Sequence, residues 1–144
     1  MEDFLKAAIE EARQSLAEGG IPIGAVLVRD GRIIGRGHNR RIQNNDPLLH
    51  AEIDCIRNAG RIGSYRGTVL YSTLMPCYLC AGAIVQFGIE KVVVGESRTF
   101  RGATGFLRDH WVSVEDRDSD ICAEMMRVFV EKNPKLWQED IGKL

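Results

Sequence analysis

His50, Glu52, Cys77 and Cys80 are the residues of this chain whose types and spacing can do chemistry together. One imidazole and two thiols are donors that Zn²⁺ favours in a tetrahedral shell, and three protein ligands leave the fourth position open. An open position separates a catalytic zinc from a structural one. Glu52 is a spare carboxylate, the type of group that moves protons beside a metal-activated water. Cys77 and Cys80 stand three residues apart, which makes them neighbours on one face of a helix. Pro76 suits the first turn of that helix, where its missing N–H costs nothing. Free N–H groups and the positive end of the helix dipole favour thiolate there.

The elements that must hold these groups can be read from periodicity and turn residues. Phe4, Ala8, Ile9, Ala12 and Leu16 recur at helical spacing, and Gly19-Gly20 ends that helix. Gly24 to Val28 reads as a buried strand, Asp30-Gly31 as a two-residue hairpin turn, and Arg32 to His38 as the returning strand. Asn39 to Leu49 is a polar loop, followed by a helix from His50 to Ala59 closed by Gly60. Val69 to Thr73 is a third strand, and the Pro76 helix runs to Phe87. Val92 to Val94 is too apolar to alternate and is predicted inside the sheet. A short helix over Ala103–Asp109, a fifth strand over Trp111–Val114, a helix over Ser119–Lys132 and a last short helix from Pro134 complete the chain. Strands separated by helices predict a mixed five-stranded sheet with helices on both faces, a three-layer α/β/α sandwich.

Composition narrows the function. The 144 residues suit a single domain, residues 1–144, with 44% hydrophobic and 27% charged content, ordinary for a globular protein. A net charge of −1 argues against a surface built for a phosphate backbone. Arg40-Arg41 and the Arg98/Arg101 pair read as solvated surface charge. No apolar run reaches the ~18 residues of a membrane helix, and the acidic Met1-Glu2-Asp3 start is not a secretory signal. A cytoplasmic setting is the expectation, with the four cysteines as thiols. Cys55 and Cys122 then read as small buried hydrophobes, and His38 and His110 as structural residues. Two weaker readings accompany the open site. A thioredoxin-like redox pair fits poorly with Pro-Cys-Tyr-Leu-Cys, and a closed structural zinc needs a fourth ligand that no spacing recruits.

The order His50-Ala51-Glu52, then Pro76-Cys77-Tyr78-Leu79-Cys80 with a strand between, resembles the zinc-dependent cytidine deaminase superfamily. Glu18-Gly19-Gly20-Ile21-Pro22-Ile23-Gly24, Gly35-Arg36-Gly37-His38-Asn39, Val94-Gly95-Glu96, Phe100 and the tail Trp137 to Gly142 are similar to the fungal-type cytosine deaminase branch. The resemblance implies that a free nucleobase is hydrolysed, cytosine to uracil, with Glu52 as proton shuttle and a metal-activated hydroxide attacking the ring. It implies that Asn39 and Asp140 bind the polar edge of the base, that Phe100 and Trp137 enclose its face, and that backbone at Ala51 helps. It also implies a C-terminal lid over residues 134–144 and a homodimer, for which the two metal-site helices offer apolar surface. Met75 stands where that branch usually has serine, and Tyr78 where an acidic residue is usual. Met75 is placed to reshape the pocket floor. It keeps guanine, isocytosine-like rings and other small amino-heterocycles as alternatives, with adenosine in tRNA as a further reading.

Overall fold

The computed structural model describes residues 3–144; Met1 and Glu2 of the acidic start lie outside the described residues. Helix α1 (Phe4–Ala17) begins at Asp3, whose carboxylate accepts the Leu5 N–H at 3.1 Å, a standard cap. It ends at Gly19, whose φ of +87° turns the chain out of the helix. Strands β1 (Gly24–Arg29) and β2 (Arg32–His38) form a hairpin over Asp30 and Gly31, both left-handed, as a primed two-residue turn requires. Strand β3 (Thr68–Leu74) pairs antiparallel with β1, while β4 (Lys91–Glu96) and β5 (Ser113–Asp116) add in parallel. The sheet order is β2-β1-β3-β4-β5, so apolar β4 is interior, as its composition predicts.

Helices α2 (Ala51–Ala59), α3 (Tyr78–Phe87) and α4 (Thr104–Asp109) contribute to the main core. There Cys55, Ile84 and Leu107 meet Leu27, Leu70 and Val92. Leu5, Ala8 and Ile9 of α1 form a second cluster with Cys122 of α5 (Asp120–Lys132). Two glycines let the layers touch. A Cβ at Gly24 would lie 2.1 Å from the Ala8 carbonyl of α1, and one at Gly37 would lie 2.5 Å from the Cys55 amide of α2. Close helix–strand approach at both sites draws α1 and α2 onto the hairpin.

Most boundaries shift by a residue or two from expectation, and two of these shifts have a local cause. Helix α3 begins at Tyr78, not at Pro76, because the Cys77 carbonyl accepts the first helical bond from Ala81 (2.8 Å) while the Pro76 carbonyl accepts from Ala103 (2.9 Å). The fifth strand starts two residues later than Trp111, which adopts a left-handed turn (φ 60°) and points into solvent. Helix α6 (Pro134–Asp140) follows α5 directly, with Pro134 in its first turn.

The topology gathers one end of the sheet. β3 and β4 run in parallel and finish at Leu74 and Glu96; β2 finishes at His38, and antiparallel β1 starts beside it at Gly24. The residues just beyond these ends therefore converge, which is where parallel α/β sheets place ligands.

Candidate active site

His50 and Cys77 are the N-caps of α2 and α3, and Cys80 lies in the first turn of α3. Two helix starts thus face one point. The three candidate ligand atoms lie within 4.8 Å of one another, with Cys77 Sγ 3.5 Å from His50 Nδ1. A tetrahedral zinc with ordinary bond lengths has a sulfur–nitrogen edge of about 3.5 Å, so the donor set fits the ion in chemistry and in spacing. Cys80 donates to Cys77; that bond and the nearby His50 outweigh burial and bring the Cys77 thiol down to about 4. The same shared proton pushes Cys80 the other way. A bound divalent cation would replace that proton and be held by both sulfurs as thiolates.

Glu52 is buried in the first turn of α2. Burial, reinforced by the Cys77 charge, raises its carboxyl to about 7. A carboxyl with that value exchanges protons readily near neutral pH.

Asn39 is fully buried at the end of β2 and almost completely bonded. Its N–H donates to Ile23 O (3.0 Å), and its carbonyl accepts from Ser15 Oγ (2.7 Å) and Gln43 Nε2 (2.9 Å). The side-chain Oδ1 accepts the Arg41 backbone N–H at 3.1 Å, and Nδ2 donates to Asp140 Oδ2 at 3.3 Å. Only an oxygen can accept from a backbone N–H, so the amide has one orientation. One Nδ2 hydrogen remains unspent. Asp140 sits at the end of α6, with Oδ1 3.5 Å from His50 Nε2. Burial raises the Asp140 carboxyl above its ordinary range, and His50 and Arg41 oppose that shift.

The cavity is lined by Ile23, Asn39, His50, Glu52, Leu74, Met75, Cys77, Phe100, Trp137, Asp140 and Ile141. Phe100 and Trp137 meet edge to face, with centroids 5.9 Å apart. The closed volume is ≈ 20 Å³, room for about one water. Of the residues singled out in the sequence, Asn39, His50, Glu52, Cys77, Phe100, Trp137 and Asp140 line it. Cys80 lies buried behind its wall, and Ala51 is buried between His50 and Glu52 with its side chain off the cavity. Met75 lines the floor, whereas Tyr78 is exposed and packs against Phe106 outside.

Sequence reasoning missed Ile23, Leu74 and Ile141, since an aliphatic wall has no chemical signature. It also misread Arg40 and Arg41. Arg40 pairs with Asp54 at 2.9 Å, and Arg41 is only 11% exposed and reaches toward Asp140. Arg98 is surface charge as expected, paired with Asp118 and Asp120. Cys55 and Cys122 are buried thiols, and His110 bonds the Phe106 carbonyl. His38 is buried between two carboxylates, Glu11 at 2.8 Å and Glu18 at 2.9 Å.

Comparison with known proteins identifies the class. The cytidine and deoxycytidylate deaminase zinc-binding region matches residues 1–96, and the chain belongs to this family of zinc-dependent hydrolytic deaminases. Cytosine deaminase of Candida albicans is 39% identical over 142 residues, covering 96% of this chain and 95% of the relative. A tRNA-specific adenosine deaminase of Streptococcus pyogenes is also 39% identical, over 138 residues, covering 88% of this chain and 87% of that one. A solved structure from work on A-to-I editing by tRNA:A34 deaminases superposes with a TM-score of 0.74 at 34% identity, covering 85% of this chain and 97% of that one. Percentage identity therefore does not choose between a free base and a base in RNA. No helix among the described residues is long and apolar enough to cross a membrane.

Proposed function

We propose that this enzyme deaminates a free nucleobase, cytosine before other small amino-heterocycles, releasing ammonia and leaving the ring carbonyl. The observation that carries the reading is the roof of the site. Helix α6 lays Trp137 and Asp140 across the cavity, against Phe100 and Asn39, as a roof that suits a small ring admitted when the roof moves and not a polymer. In this reading residues 134–144 are a lid on a single domain that spans residues 1–144.

Bound zinc, held by His50, Cys77 and Cys80, supplies a Lewis-acid centre that makes water a competent nucleophile near neutral pH. The chain's own residues do the rest. Glu52 accepts one proton from the attacking water and delivers it to the ring nitrogen beside the reacting carbon, then takes the second from the hydroxyl now on that carbon and passes it to the departing amine. Water adds and ammonia leaves, so cytosine and water become uracil and ammonia. Asp140 accepts a hydrogen bond from the exocyclic amine. The unspent Asn39 Nδ2 hydrogen donates to the ring carbonyl, joined by the backbone at Ala51. Phe100 and Trp137 cover the ring faces and exclude water, which strengthens each polar contact. Met75 is the floor residue that decides which ring fits.

Adenosine in tRNA is the second reading, and the 39% identity to a tRNA-specific deaminase favours it. The net charge of −1 and the α6 roof weigh against it. Exposed Tyr78, Leu79 and Phe87 on α3 support a homodimer through that helix, and a cytoplasmic setting suits two unpaired zinc-ligating thiols. Ammonia release from cytosine, set against release from an anticodon stem–loop, tests the substrate; sedimentation tests the dimer.

A further inference from the structure

Arg41 stands outside the cavity lining yet touches both residues that would read the ring edge. Its backbone N–H holds Asn39 Oδ1 at 3.1 Å. Its Nε donates to the Pro47 carbonyl at 3.0 Å, which anchors the guanidinium against the loop before α2. From that anchor Nη1 reaches to 4.0 Å of Asp140 Oδ2, the same oxygen that accepts from Asn39 Nδ2. Both side chains are nearly enclosed, 11% and 5% exposed, so solvent screens the pair little. His50 Nε2 faces the other oxygen, Oδ1. The carboxylate is thus approached on one oxygen by the metal-site histidine and on the other by Arg41 and Asn39.

We infer that Arg41 is a positioning residue for substrate binding: it fixes the Asp140 carboxylate beside the Asn39 amide, so that the pair presents one donor and one acceptor to the ring edge. This rests on the free-base reading above. Arg41 has no contact with the reacting atoms; it acts through Asp140. It also joins the 39–49 loop to α6, two segments about a hundred residues apart in sequence, so the acceptor is held in place only when the roof is down.

A double-mutant cycle isolates this role. Cytosine binding is measured by calorimetry on zinc-loaded Glu52→Gln protein, which keeps the pocket while turnover is blocked. In that background Arg41→Met is expected to weaken cytosine binding about tenfold, and Arg41→Lys by a smaller factor, since it keeps the charge and loses the Pro47 anchor. Combined with Asp140→Asn, Arg41→Met should cost less than twofold more, because the group it positions has lost its charge. In otherwise wild-type enzyme, Arg41→Met should raise KM and leave kcat within about threefold. Equal losses with and without the Asp140 carboxylate, or a fall in kcat at unchanged KM, would overturn the inference while leaving the free-base reading intact. If cytosine is neither bound nor turned over, the cycle is run with whichever free base the wild-type enzyme deaminates. Failure to deaminate any free base overturns both.

Discussion

His50 Nε2 lies 3.5 Å from Asp140 Oδ1, while the opposite ring nitrogen faces Cys77. Asp140 at the end of α6 therefore faces the candidate ligand that caps α2. Carboxylates in this position fix the tautomer of a metal-binding histidine and raise its basicity, and losing them typically costs 10–100-fold in metal affinity. Asp140→Asn is expected to weaken zinc binding by about that factor, measured by competition with a chromogenic chelator. Unchanged zinc affinity would confine Asp140 to the substrate.

Glu52→Gln should retain stoichiometric zinc and a wild-type melting profile, yet lose about 10²–10⁴ in kcat. Zinc content and ammonia release on the same preparation check this. A variant that keeps most of its turnover would remove Glu52 from proton transfer.

The closed cavity has room for about one water, so a base can reach it only when α6 or Phe100 moves aside. Removing everything after Lys135 takes away Trp137 and Asp140 together. Free-base turnover should then fall by at least a hundredfold even in protein kept saturated with zinc. Trp137→Ala alone is expected to raise KM and to lower stability by about 3–5 kcal/mol, the usual loss for a buried Trp. Equal turnover by whole and truncated chains would mean that α6 is no lid.

His38, the last residue of β2, holds Glu11 of α1 and its C-cap Glu18 against the strand end that leads into Asn39. Its hydrogen bond depresses the Glu18 carboxyl; Glu11 is raised by burial but depressed more by His38 and Arg36. A carboxyl depressed in the folded state adds stability above its unfolded value, near 4.3, and loses it as pH falls through the folded value. His38→Gln should therefore cost about 1–2 kcal/mol at pH 6, less than a fully buried charged hydrogen bond because both carboxylates are partly exposed. The gap to wild type should narrow steadily toward pH 3. Urea denaturation across that range measures it, and a constant gap would assign the loss to packing.

Much of this site is legible in the sequence because its chemistry is local. The His-Ala-Glu and Cys-x-x-Cys spacings place ligands at two helix starts, and the hairpin turn and glycine stops set the surrounding elements. Legibility ends where a role depends on distant segments meeting. Arg41 reads as one more surface charge until α6 lies across it, and Asp140 shows its second partner only once His50 is in place. Ile23, Leu74 and Ile141 are ordinary apolar residues until the fold turns them inward. Pro76 suggests a helix start by its own preference, but the Cys77 carbonyl makes the first helical bond and moves the start to Tyr78.

The most direct test is ammonia release by the zinc-loaded enzyme from cytosine, guanine, adenine, isocytosine and cytidine, alongside inosine formation in a tRNA anticodon stem–loop. Cytosine turned over at least tenfold faster than the other bases, with no inosine formed, is the expected result. Inosine formed in the stem–loop, with every free base left intact, would contradict it.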